Sequence, residues 1–385
     1  MAVLFCTDGA SAVDFKIDLP PDMGQKAPAR DVVPENFDFP DDFGVESFPK
    51  ESLAGGLGSA RLPDTTVIDG VQNLNFAPFV NSESKISDSS FPALKCLAGN
   101  VRFWEAVYRD VDTDSVLLHD REDLGRIYGV AKLSTNAASR NYSADVYRNY
   151  FSTKLRELAS LYDRPSEWDS AHRDLARLFP GKFLAPDVLL RASRNIRIQS
   201  GLKRNFEAGI QRSLPIMNIV HRVISQRGLP EDIVLLPHVE SSYHSRATSK
   251  VGAVGLWQIM PDTMRMLMGR NSVSRRTEVE TSTMAAAKLL KQNYSQTKSW
   301  PLALTAYNHG LNGVMKAIRK TGSTDLCTII ERYDSRSFQF ASSNFYAQFV
   351  AARNVSLARY AELLKKGTGP KALKPLLARR LGARF

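Results

Sequence analysis

Five apolar side chains, Ile216, Ile219, Val220, Val223 and Ile224, recur in SLPIMNIVHRVISQRGLP at i, i+3, i+4, i+7 and i+8. That is the spacing of one buried face of an α-helix. Ser213 and Pro215 suit its start, and Gly228 and Pro230 mark its stop. Pro230 then opens a second helix, with Glu231 and Asp232 in the first turn, where the helix dipole favours negative charge. This second helix leads through Ile233, Val234, Leu235, Leu236 and Val239 to Glu240. Further helices are expected over RTEVETSTMAAAKLLKQNYSQT and WPLALTAYNHG. The fold class expected is mainly α.

Upstream, RFWEAVYRDV reads as a short helix with Phe103, Val107 and Tyr108 on one side. SVLLHDREDLGRIYGVAKL reads as a small β-hairpin, with helix left open by periodicity alone. Phe151, Leu155, Leu158, Leu161 and Tyr162 follow helical spacing, and another helix is expected over roughly Asp187 to Ser200. Residues 13–95 mix Pro, Gly, Asp and Ser with no sustained period and read as a largely disordered acidic leader.

Charge divides the chain. Residues 1–100 carry 15 acidic and 7 basic side chains, and the remainder 25 acidic and 44 basic. Such a cationic body suits a polyanion such as an acidic wall polymer, although it also serves plain solubility. No nucleic-acid-binding motif accompanies it, so nucleic acid is not an expected partner. No apolar run approaches the length of a transmembrane helix. Three cysteines, Cys6, Cys96 and Cys327, lie far apart and suggest neither a disulfide framework nor a metal site. MAVLFCTDGASA ends in small residues but lacks the positive start of an export signal.

Glu240 is the residue that asks for a chemical explanation. An apolar approach and a helix C-terminus both disfavour a carboxylate, so both raise the pKa, as a general acid near neutrality requires. Ser241 and Ser242 stand next to it to hold the carboxyl. Gly252 and Gly255 permit a tight turn and close approach of a ligand. Gln258, Tyr307 and Asn308 add neutral hydrogen-bonding groups, with aromatic surface at Trp257 and Tyr307, a mixture suited to a sugar. His238 and His244 flank the acid and read as ordinary core or rim residues rather than metal ligands. Arg265, Arg270, Arg275 and Arg276 form a basic run, read as a solvated face or as a contact for wall-peptide carboxylates.

LPHVES, GAVGLWQIMP and AYNHG, in this order, resemble the catalytic domain of the lytic transglycosylases, related in fold to goose-type lysozyme. LPEDIVLLPHVESSY, IIERY and SFQFASSNFYAQFVAA extend the resemblance toward the family's membrane-bound D branch, over about residues 100–360. The resemblance implies that Glu240 is a single catalytic acid and base, followed by Ser241. It implies that Gly255 and Gln258 belong to a glycan-contacting G-L-x-Q element, with Trp257 where the family often has Met. Tyr307 and Asn308 match an element that orients the acid and meets an N-acetyl group. Tyr346 matches a further active-site tyrosine, with Phe345 as the rival assignment. The implied division is a leader over 1–95, a mainly helical accessory region over 96–205, a catalytic domain over 206–360 and a basic tail over 361–385.

By the same resemblance the substrate is peptidoglycan, and the reaction cleaves the β-1,4 bond from N-acetylmuramic acid to N-acetylglucosamine. It leaves a 1,6-anhydro end, needs no cofactor and takes place in the periplasm. Hydrolysis with a second carboxylate is the runner-up, and non-catalytic wall binding the third reading. Asp262 reads as a helix-start residue, and Glu278 and Glu280 as dipole partners in a first turn.

Overall fold

The computed structural model describes residues 71–72, 90–133, 137–335, 338 and 340–382. Cys6 and most of the acidic leader lie outside them. The architecture is mostly helical around one small antiparallel sheet. In chain order it runs β1 (Val71–Gln72), α1 (Ala98–Arg109), β2 (Ser115–Asp120), β3 (Ile127–Lys132), α2 (Ala137–Ser160), α3 (Ser170–Ala176), α4 (Pro186–Arg194) and β4 (Ile196–Ser200). Then come α5 (Lys203–Ser213), α6 (Met217–Gln226), α7 (Pro237–Ser241), α8 (Pro261–Met268), α9 (Val279–Thr297) and α10 (Trp300–His309). The last four are α11 (Leu311–Thr321), α12 (Leu326–Arg332), α13 (Phe340–Lys365) and α14 (Lys374–Leu381).

The sheet has the order β1-β3-β2-β4. Strands β2 and β3 form the expected hairpin, with Leu117 opposite Val130 and a register shift between Leu118 and His119. Val116, Leu118, Tyr128 and Ala131 bury one sheet face in a cluster with Phe151, Leu155 and Leu158 of α2 and Leu189 of α4. The helix expected up to Ser200 stops at Arg194 instead. Ile196 and Ile198 then lie against this cluster, and the segment pairs antiparallel with β2. Alternation of β-branched residues outweighs the helical spacing there. On the other side, His119 packs on Phe103 of α1 at 4.5 Å, and Arg197 lies over the Phe340 ring of α13 at 4.3 Å.

The opening periodic segment also divides differently from its expected start. Ser213 ends α5 rather than capping α6, and its hydroxyl donates to the Ile210 carbonyl at 2.6 Å. Met217, Val220, Val223 and Ile224 are buried, while Ile216 and Ile219 are half-buried. The expected basic tail folds back. Leu376 and Leu377 of α14 are buried, each contributing about 2 kcal/mol, and Arg380 clamps the buried Asp232 at 3.1 and 2.6 Å.

A disulfide joins Cys96 to Cys327 across 231 residues. Sequence spacing gave no hint of it, because the two thiols meet only when the segment before α1 reaches α12. Among the described residues, no helix is long and apolar enough to cross a membrane.

Candidate active site

Between α6 and α7 the chain makes a 3₁₀ helix, Glu231–Leu235, whose Ile233, Val234 and Leu235, with Leu236, are wholly buried. This apolar anchor sets α7, a single turn started by Pro237, so that Glu240 is only 1% exposed. The turn cannot continue, because Ser242 and Tyr243 adopt φ of 47° and 59°. Two successive left-handed residues with β-carbons are disfavoured, and side-chain anchors hold them. Tyr243 donates its hydroxyl to the Val234 carbonyl, and Arg212 donates twice to the Ser242 carbonyl, at 3.0 and 2.7 Å.

Burial raises the Glu240 carboxyl from its ordinary 4.5 to about 7. Its Oε1 is buried with no hydrogen-bond partner among the described residues. Two phenols feel its charge, Tyr108 from α1 and Tyr307 from α10. Burial first, and Glu240 second, push both well above the usual tyrosine range. A carboxyl so placed is neutral through mildly acidic conditions and titrates near neutrality.

The segment after α7 folds into a tight turn through isolated bridges of Val254 to Thr248 and Ile259. Gly255 has φ 87°, and a β-carbon there would lie 2.1 Å from the Arg276 carbonyl oxygen, so only glycine fits. Gln258 is also left-handed, at φ 45°. Its Nε2 donates to the Gly255 carbonyl at 2.9 Å, leaving Oε1 buried without a partner among the described residues. Ser241 donates to the Leu256 carbonyl at 2.8 Å and Tyr307 to the Trp257 carbonyl at 2.7 Å. Two side chains thus tie the helix bearing Glu240 and the end of α10 to one turn. Behind Tyr307, Ser342 of α13 donates to Asn308 Oδ1 at 3.4 Å and meets His309 Nδ1 at 3.0 Å.

A family model described as the transglycosylase SLT domain matches residues 222–329, a span that holds α7, the glycine turn and α10. These residues form a transglycosylase SLT domain. The chain is homologous to membrane-bound lytic murein transglycosylase D of Escherichia coli strain K12. The two are 38% identical over 111 residues, 28% of this chain and 25% of that protein. A putative tributyltin chloride resistance protein of Alteromonas is 29% identical over 28% of this chain and 53% of its own length. The chain thus spans a quarter to a half of the curated relatives it matches. The 70 kDa soluble lytic transglycosylase of Escherichia coli aligns at TM-score 0.33 and 18% identity, over 60% of this chain and 38% of that one.

Within and around the SLT domain the candidate residues separate by what they touch. Glu240, Ser241, Gly255, Gln258 and Tyr307 converge on the turn, and Asn308 adjoins them through α10. Ser241 is committed to the Leu256 carbonyl and Ser242 carries the clamped peptide, so neither holds the carboxyl as expected. Trp257 is wholly buried and donates to Thr283 at 2.9 Å, which removes it as a sugar platform. Tyr346 points elsewhere, donating to the Pro92 carbonyl at 2.8 Å, and Phe345 is wholly buried.

The charged candidates resolve similarly. Asp262 is exposed and pairs with Arg265, and Arg275 pairs with Glu278 at 2.8 Å. Arg276 instead donates to the carbonyls of Val273, Gly252 and Ile259 at 2.9, 2.9 and 3.2 Å. His238 is a core residue. Because Ser213 spends its proton on Ile210, Tyr360 donates to Ser213 and accepts from His238 Nε2 at 2.8 Å. Burial, then Arg212, lowers the His238 pKa to about 3. Among the described residues, no group of three or more His, Cys, Asp or Glu forms a metal-binding cluster. Sequence reasoning missed Tyr108 and Arg212. Tyr108 sat in the apolar stripe of α1 and read as core, while Arg212 had no pattern to mark it.

Proposed function

We propose that the protein is a peptidoglycan lytic transglycosylase in which Glu240 acts alone, first as acid and then as base. The observation that carries this reading is the buried, unpartnered Glu240 carboxyl inside an SLT domain, with Asp262 exposed and ion-paired away from it. A hydrolase of the usual kind needs two carboxylates flanking the bond. One carboxyl suffices if the second nucleophile belongs to the substrate.

Glu240 donates its proton to the oxygen joining N-acetylmuramic acid C1 to N-acetylglucosamine, and the C1–O bond breaks. The resulting carboxylate takes the proton from the muramic acid C6 hydroxyl, and O6 bonds to C1. The enzyme ends protonated as it began, and no water is consumed. A pKa near 7 suits both proton transfers. The free acceptor on Gln258 and the amide of Asn308 match the N–H and C=O groups of N-acetyl sugars. An oxidising compartment outside the cytoplasm, the periplasm, fits the Cys96–Cys327 bridge.

Purified protein and a Glu240→Gln variant, incubated with clean sacculi, test the reading through the mass of released muropeptides. Anhydro products from the wild type alone are expected. Full-mass reducing ends would mean hydrolysis, and tight sacculus binding with no release by either would mean a wall-binding protein.

A further inference from the structure

The residue that holds the catalytic turn lies outside the SLT match. We propose that Arg212, on α5, is a positioning residue for Glu240. Its guanidinium fixes the Ser242 peptide, which ends the single helical turn that carries the acid. The inference rests on the reading of Glu240 as the reacting group.

Three independent features place it there. Arg212 aims Nε and Nη2 at one carbonyl, Ser242, at 3.0 and 2.7 Å, with a longer contact of 3.5 Å to the Asn205 carbonyl. All three contacts are to backbone. A planar, permanently charged fork that spends both arms on one peptide oxygen fixes that peptide's orientation. Next, α5 has no side chain where it crosses this peptide. A β-carbon on Gly209 would stand 2.8 Å from the Ser242 carbonyl oxygen, so the glycine permits the approach that Arg212 exploits. Finally, the fixed peptide begins the left-handed pair Ser242–Tyr243, the conformation most ready to relax once its anchor is removed.

Glu240 lies two residues before that peptide in a helix of five residues. A relaxed Ser242 unwinds the turn, swings the carboxyl away from Tyr108 and Tyr307 and admits water beside it. The titratable and charged groups around this region include Tyr108 on α1, Tyr307 on α10, Tyr360 on α13, Tyr243 after α7, His238 on α7 and Arg212 itself on α5. The four phenols and the imidazole are neutral near pH 7, so a change in hydration is what Glu240 will report.

The test compares wild type with Arg212→Lys, Arg212→Met and Gly209→Ala on solubilised glycan strands, with thermal melts alongside. For Arg212→Met, kcat should fall about 10- to 100-fold with KM nearly unchanged. Its alkaline limb should move to lower pH as the hydrated carboxyl acidifies. Arg212→Lys, which keeps the charge but lacks the planar fork, should recover part of the loss. Gly209→Ala, which displaces the same peptide while sparing the arginine, should reproduce the loss and serves if the Met variant does not fold.

An infrared titration of the Glu240 carboxyl, assigned with Glu240→Gln, reads the same displacement without turnover. A lower midpoint in Arg212→Met is expected even if the wild type proves inactive on glycan, an outcome that would sink the functional reading alone. An unchanged midpoint and pH profile, with only the melting temperature lowered, would make Arg212 a structural residue and overturn the proposal.

Discussion

Asp120 and Glu240 are carboxylates at nearly equal depth, 2% and 1% exposed, in opposite surroundings. Asp120, in the sheet layer, receives Arg126 at 2.7 Å, the Tyr128 hydroxyl at 2.9 Å and the Glu122 amide at 2.8 Å. Glu240 keeps a buried oxygen with no donor among the described residues. Depth alone therefore says little about a carboxylate's task, and these two differ in the donors that reach them. Where donors converge, the charge is spent on holding β2 to β3. Where they are withheld, the proton stays available.

The largest expected effect that sharpens this contrast is on turnover. Glu240→Gln should reduce glycan cleavage about 10³-fold or more while folding normally, and Asp120→Asn should leave kcat per folded molecule unchanged. In urea unfolding the order reverses. Asp120→Asn leaves Arg126 only the more exposed Asp123 as a charged partner, at 3.2 Å, and should remove about 2 kcal/mol.

Glu240 also gives stability a pH dependence. The folded protein holds this proton more tightly than the unfolded chain, so the unfolded chain loses it first as the pH rises from 4.5 to about 7. Native stability should fall by about 3 kcal/mol across that window. The Gln variant should lack that component of the slope, and a parallel slope would show that burial does not raise this group.

Next in size is the turn. Gly255→Ala sets a β-carbon against the Arg276 carbonyl and should lower kcat about tenfold with a melting temperature several degrees lower. Cys96→Ser should lower stability by about 2–4 kcal/mol with kcat unaffected, since the bridge lies at α12 rather than at the turn. Smallest of all, Asp262→Asn should change stability by less than about 0.5 kcal/mol and activity by less than twofold. A large loss of activity there would restore the two-carboxylate reading.

The legible features were the local ones. Helical spacing found the buried face of α6, and the apolar approach to Glu240 anticipated its burial, with Gly255 and Gln258 marking the turn that follows. Composition and pattern did not reach what depends on contact between distant segments. Tyr108 looks like any core aromatic until α1 meets the acid, and Cys96 finds Cys327 only in the folded chain. Arg212 reads as one more surface cation, because a backbone carbonyl as its partner leaves no trace in sequence. Trp257 was misplaced for the converse reason, since an aromatic beside a glycine turn serves a sugar or the core equally well on paper.

The central claim is that burial without donors keeps Glu240 protonated near neutrality. It is tested most directly by following the Glu240 carboxyl carbon by ¹³C NMR across pH in the wild type, with Glu240→Gln to assign the signal. The account predicts a midpoint near 7. A midpoint near 4.5 would mean that water or an unrecognised donor reaches the carboxyl, and would contradict it.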